Sequence, residues 1–382
     1  MSIPKGQYRL LATKPITAPL QTVLENSVNG GDAETFAAAR FITACRGEVS
    51  WGSRAMDNCK IDLLINFEHP WMEQAKEKSY KRGEETIKKM VIEKEKILIL
   101  VQVKSGSSYG EYTNDCLRIK KLAIEACHRT SHSICILWVD RDGNDVFWAY
   151  IHPRLKPSDK FYGRHHCLTP ATRFDLARCM AVPNASGSGA KGLIISKITG
   201  EPKCRRKRAR SVYKSGALKA VITPTLGPVQ LTRLAWKHMF RAGRSVIYKE
   251  RSLSLIPYLT TILSRFPDDQ AIIASEYWES GNYQYRSIEH LLKYRGGQVV
   301  LGKPTKPMGC PKLNNVVVVI RLIEEIRFPK MWASKAMLSQ EVMRRVVLRS
   351  AYYKPERNGN GGSEGPRSSD KTLPKATEAT VA

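Results

Sequence analysis

An amine, an amide and a carboxylate stand where two apolar runs meet polar sequence. The run from Lys96 to Ser108 reads Lys-Ile-Leu-Ile-Leu-Val-Gln-Val-Lys-Ser-Gly-Ser-Ser, a buried strand that delivers Gln102 and Lys104 to its mouth before a flexible Ser/Gly turn. Side chains alternate along a strand, so Gln102 and Lys104 share one face while Val101 and Val103 take the other. A second run, Lys60 to Phe67, is β-branched and aromatic and carries Asp62 near its start. It reads as the neighbouring strand. Two chemistries are open to residues so placed. One is an ion pair that closes a strand end, a common structural use of Lys and Asp. The other is hydrolysis, in which the Asp62 carboxylate and the Gln102 amide oxygen hold a hard divalent cation and Lys104 acts on a water.

The elements that must position these groups follow from periodicity. Asp32 is a candidate N-cap for a helix from Ala33 to Cys45, with Glu34 in its first turn. An acid there suits the helix dipole, and it also stands where it can add to the site. Residues 68–96 are dominated by Lys and Glu at i, i+4 spacings and read as a solvated, helix-compatible insertion between the two strands. A helix is expected from about Asn114 to Arg129. Ile134–Val139 and Val146–Ile151 then form a hairpin about the turn Asp140–Asp145, which lacks the spacing and closing Glu of a calcium loop. Leu168–Asp175 closes the unit.

This order of pieces resembles the PD-(D/E)XK nuclease superfamily in its Gln-x-Lys form, as in Mrr-like restriction endonucleases. It is most similar to the bacterial family catalogued as domain of unknown function 4365. The resemblance covers about residues 30–180 and rests on Glu34, Asp62, Val101-Gln-Val-Lys-Ser105 and the Trp-bearing hairpin. It implies a restriction-endonuclease-like core, a mixed central sheet flanked by helices. It further implies Asp62, Gln102 and the carbonyl of Val103 as ligands of Mg²⁺ or Mn²⁺, with Lys104 as the residue at the attacking water. The implied activity is metal-dependent DNA endonuclease, serving restriction or defence against foreign DNA, with other defence-system proteins as partners.

Charge points the same way. The chain has 382 residues, enough for two domains, and a formal charge of +27. Residues 1–182 carry 27 basic and 21 acidic side chains, a net +6, whereas residues 183–382 carry 35 and 14, a net +21. Such a surface favours a polyanion, above all nucleic acid. No charged-then-apolar leader opens the sequence and no apolar run approaches the ~20 residues of a membrane span, so a cytoplasmic protein without a membrane partner is expected. Nine cysteines without CxxC spacing signal neither a disulfide framework nor a zinc site. His165-His166-Cys167 is the one dense ligand cluster, but adjacent strand residues point opposite ways.

The expected architecture is α/β, with a nuclease-like domain over 1–180, a flexible basic linker over 181–217, a mainly helical accessory domain over 218–353 and a disordered tail over 354–382. Within the linker, Arg205, Arg206, Lys207, Arg208 and Arg210 are candidate phosphate contacts. Lys330–Tyr353 reads as a long helix, and Val316–Ile320 as a strand or buried helix. Trp236, Tyr277, Trp278, Tyr283, Tyr285 and Trp332 interleave with Arg and Lys, as stacking platforms or as core aromatics. A homo-oligomer is compatible with all of this. The alternative to an enzyme is a non-catalytic nucleic-acid-binding protein that keeps the nuclease fold, or an RNA-directed or assembly role centred on the basic half.

Overall fold

The computed structural model describes residues 18–356 except 54–55, 57–58, 83–84, 129, 154, 182–188, 197, 199, 220, 302–311 and 335–340. It gives only the backbone at 18–29, 74, 78, 80–82, 85–89, 301 and 312. The first half is α1 (Ala18–Cys45), β1 (Glu48–Trp51), β2 (Leu63–Arg82), β3 (Glu85–Ser105), β4 (Gly110–Thr113), β5 (Cys116–Ile119), α2 (Lys121–Cys127), β6 (Ile134–Asp140), β7 (Asp145–Ile151), β8 (Lys160–Gly163) and α3 (Thr172–Ala181). A five-stranded mixed sheet runs β1-β2-β3-β6-β7, antiparallel except for the parallel pair β3 and β6. A parallel pair needs a crossover, and this one carries the β4–β5 hairpin and α2.

The crossover places helices on both faces of the sheet. On α1, Ala33, Ala37, Ala38, Phe41, Ala44 and Cys45 form one stripe, whose small side chains let the helix sit close on Leu63, Ile65, Val101 and Val103. On the other face, Ala123, Ile124 and Cys127 of α2 cover Ile134 and Ile136. Strands buried on both faces read as unbroken apolar runs, which is why β3 and β6 are so legible.

Three expectations for this half are corrected. Helix α1 does not start after an Asp32 cap; it runs from Ala18 straight through Gly30 and Gly31, and Thr35 Oγ1 bonds the Gly31 carbonyl at 3.0 Å within it. A helical Gly costs only about 1 kcal/mol, too little to stop a helix with a packed stripe ahead of it. Of residues 68–96, those described are not helical but extend β2, to Arg82, and β3, from Glu85, as a two-stranded ribbon. Its Lys and Glu side chains pair across the strands, Lys76 with Glu93 at 3.3 Å and Lys94 with Glu68 at 3.4 Å. The expected helix over 114–129 is a hairpin followed by the short α2. Asn114 and Asp115, at φ 51° and 59°, make the two-residue left-handed turn that such hairpins favour.

The second half contains β9 (Ile194–Ile195), α4 (Pro202–Ala217), β10 (Val221–Thr223), β11 (Gly227–Val229), α5 (Arg233–Met239), α6 (Val246–Leu255), α7 (Leu259–Leu263), β12 (Asp269–Ser280), β13 (Tyr283–Leu301), β14 (Lys312–Pro329) and β15 (Met343–Pro355). It is not mainly helical. Strands β12-β13-β14-β15 form an antiparallel sheet with β9 parallel to β13, and the short helices pack against it. The stretch expected as a long helix, Lys330–Tyr353, is a turn followed by β15; residues 335–340 within it lie outside the described residues. The basic run lies on a helix, α4, anchored by buried Ala209, Tyr213 and Gly216, rather than in a linker. The small-residue part of that linker, 182–188, and the tail from 357 on fall outside the described residues.

A buried ionic network joins the halves. Asp175 of α3 accepts from Arg178 at 2.7 Å and from Arg286 of β13. Glu324 of β14 accepts from Arg344 of β15 at 2.7 Å and lies 3.3 Å from His290 and 3.5 Å from Arg178. Burial disfavours charge on the two carboxyls, but the surrounding guanidiniums outweigh it and hold Asp175 below, and Glu324 well below, the usual carboxylate range. Arg344 also lies over the rings of Trp71 and Phe174, at 4.9 and 4.8 Å.

Candidate active site

The chain enters β2 through Lys60, whose φ of 63° turns it away from the sheet, so backbone pairing on that edge of β3 stops near Val101. Asp62 completes the edge in two ways. Its N–H donates to the Val101 carbonyl at 2.9 Å, and its Oδ2 accepts from the Val103 N–H at 2.7 Å. A side-chain carboxylate thus takes the place of a strand that has ended. The N–H and C=O of one residue point to the same edge of an extended strand, so the Val103 carbonyl projects on the Asp62 side.

Lys104 is half-buried beyond this bond. Among the described residues, none of the ion pairs formed within 4 Å includes it, so the plain Asp62–Lys104 bridge is not made. Its Nζ lies 5.6 Å from the centre of the Tyr109 ring. Burial holds the amine below the usual lysine range, opposed chiefly by Asp62 and reinforced by Lys60. Glu34 acts on Lys104 in the same sense as Asp62, though less. It lies one turn before Ala38 of the packed stripe of α1, the helix on the Val101–Val103 face of the sheet. The loop after Lys104 is fixed by Trp138, whose Nε1 donates to the Gly106 carbonyl at 3.1 Å. The indole leaves no room for a side chain at Gly110, where a Cβ would lie 2.8 Å from it.

Gln102 is fully buried beside α2, its Oε1 3.6 Å from Cys127 Sγ and its Nε2 without a partner among the described residues. An orphaned amide group in a core costs about 1–3 kcal/mol, a cost that a water can offset at nitrogen and a cation only at oxygen. Exchanging the amide's two ends would pair Nε2 with the sulfur and turn the oxygen to the unpartnered side. Among the described residues no three His, Cys, Asp or Glu side chains converge as a metal centre, so a cation here would rest on the Asp62 carboxylate with the oxygens of Gln102 and Val103. All are hard oxygen donors, and the set fits Mg²⁺ or Mn²⁺. Gln102→Glu, which adds a carboxylate, is expected to be destabilised without metal and to gain more melting temperature from Mg²⁺ than wild type does. Equal gains in a thermal-shift titration would remove Gln102 from the ligand set.

Sequence reading thus places Glu34, Asp62, Gln102 and Lys104 together, and misses Lys60, Tyr109 and Cys127 around them. Cys127 was legible only as a core thiol, and burial pushes it up to about 12. The other candidates separate. His166 Nδ1 donates to the Trp148 carbonyl at 2.7 Å and its ring stacks on that indole, a structural role. On α4, Arg205 is held by Glu250 at 2.6 Å, while Lys203, Lys207, Arg210 and Lys214 are exposed at i, i+4, i+7 and i+11, one basic stripe. Arg206 and Arg208 are exposed beside it. Trp236 is core, whereas Trp278 is 43% exposed and stacks on Tyr285 at 5.3 Å. No helix among the described residues is long and apolar enough to cross a membrane. In comparisons with known proteins, no family model, curated protein or solved structure matches the chain.

Proposed function

We propose that the protein is a metal-dependent DNA endonuclease of the PD-(D/E)XK type, with Asp62, Gln102 and the Val103 carbonyl as the cation's ligands. One observation carries the reading: a carboxylate held on the Val103 N–H beside a desolvated lysine that makes no ion pair among the described residues. A purely structural lysine would be expected to close that bridge. The order β1-β2-β3-β6-β7, with helices on both faces, supports the restriction-endonuclease-like assignment. When bound, Mg²⁺ or Mn²⁺ supplies Lewis acidity toward the phosphate and its water. The protein's part is to fix Asp62 through the Val103 N–H and to keep Lys104 poised at the strand mouth, where it orients or deprotonates the water and offsets charge developing on phosphate. Glu34 adds negative potential there, and the exposed bases of α4 hold the backbone. A role in restriction or defence follows by analogy with the family.

The second reading, a nucleic-acid-binding protein that keeps the fold without the chemistry, is favoured by Gln102, whose buried oxygen faces a thiol. Nicking of supercoiled plasmid decides between them. Cleavage that requires Mg²⁺ or Mn²⁺ and disappears in Asp62→Ala is expected; binding without cleavage in either metal would leave the second reading standing.

A further inference from the structure

The described surface of the second half gathers positive charge at a place the sequence did not single out. Arg241 and Arg244 follow α5, Arg321 lies on β14, and Arg349 and Lys354 lie on β15. The proximity of the four arginines is seen in His238, which burial and then Arg241, Arg349, Arg244 and Arg321 hold below the usual histidine range. Among the described residues, Glu289 is the one carboxylate bonded to any of these five cations; it takes both Arg321, at 3.2 Å, and Arg349. Among the described residues, the five cations thus bond one carboxylate between them, a surplus of four positive charges.

Aromatic rings brace two of these cations. The Arg244 guanidinium lies 5.6 Å from the Tyr248 ring and 5.5 Å from that of Tyr352, and the two rings meet edge to face at 5.2 Å. Lys354 lies 5.8 Å from Tyr352. Arg206 of α4 lies 5.7 Å from the ring of Phe240, the residue before Arg241, and so joins this cluster to the basic stripe of α4. Like charges massed with one counter-carboxylate repel one another, and a polyanion that brings counter-charge relieves that repulsion. Cations braced by tyrosines are also pre-ordered for phosphate, so less freedom is lost on binding.

We infer that the surface formed by Arg241, Arg244, Arg321 and Lys354, continued by Arg206 onto α4, is a phosphate track for duplex DNA. This deepens the nuclease reading by naming where the substrate is held, on residues of the second half rather than those that would cut it.

The test is fluorescence anisotropy of a short duplex across a salt series, using the full chain and the triple variant Arg241→Gln, Arg244→Gln, Lys354→Gln, none of which bonds a described carboxylate. The variant is expected to bind on the order of a hundredfold more weakly at 0.1 M salt and to lose about 0.9 in log–log slope for each contact removed. A charge-matched triple at Lys191, Lys293 and Arg295 should keep the wild-type slope. Equal slopes for the two triples would overturn the track. So would wild-type binding to phosphatidylserine vesicles that vanishes in the first triple while duplex binding stays intact. Loss of duplex binding in the first triple supports the track even if the wild type never cuts, an outcome that fails the nuclease reading alone. Cutting by a first triple that binds as wild type does fails the track alone.

Discussion

Lys104→Ala is expected to lower metal-dependent cleavage by about a hundredfold to ten-thousandfold, the range spanned by a positioned acid or base. Its melting temperature should be no lower than wild type, because the amine is desolvated and makes no described ion pair. A lysine held below its ordinary pKa favours the folded state least when protonated, so removing it relieves that penalty at neutral pH. Lys104→Arg separates two roles. If charge alone matters, arginine restores much of the rate; if the amine takes a proton, arginine fails, and the rise of wild-type rate with pH through the lowered pKa is absent from the variant. A clear loss of stability in Lys104→Ala with unchanged cleavage would return Lys104 to a structural role.

The second large effect lies in the buried network. Glu324→Ala leaves Arg178, Arg286 and Arg344 facing Asp175 alone, and breaking such a group by removing one partner costs about 3–5 kcal/mol. At a typical unfolding entropy per residue this corresponds to a melting point lower by about 4–6 °C. The neighbouring Glu325 pairs with Arg345, whose side chain is exposed, so Glu325→Ala should change stability by less than about 1 kcal/mol. Calorimetry of both variants checks this, and equal losses would mean that the network is not what joins the halves. The pH dependence has a definite sign. Because the Glu324 carboxyl is held well below its unfolded value, its contribution is complete above about pH 4.5 and is lost as pH falls toward the folded value.

What was legible in the sequence was what burial on two faces writes into it. The β3 and β6 runs, the β6–β7 hairpin and the Asp62 strand all follow from continuous apolar stretches ended by turn residues. The charged ribbon was not legible, because Lys and Glu at i, i+4 support a helix and also pair across an arm, where Lys76 meets Glu93 seventeen residues away. The second sheet was obscured by its own polar core. Arg286 and His290 share the face of Ile288 and Leu292, and Glu324 that of Leu322 and Ile326. A period of two with charge on the apolar side is the signal that could have revealed both strand and network. The site was half legible: spacing put Gln102 and Lys104 on one face, but only the fold could show that β2 stops short and leaves Asp62 to finish the edge.

The long β2–β3 arm beyond that edge has a consequence for how such a chain can vary. From Glu73 paired with Lys94 to Arg82 paired with Glu85 it stands about 30 Å long, and its root is the pair of strands that carries Asp62 and Lys104. Removing or adding one residue on each strand at the tip shortens or lengthens the arm by whole rungs and leaves the root in register. An unmatched change on one strand would turn side chains to the wrong face or force a bulge. Reach and chemistry are therefore separable variables in this molecule, and the tip of the arm is where new reach can be acquired without disturbing Asp62 and Lys104.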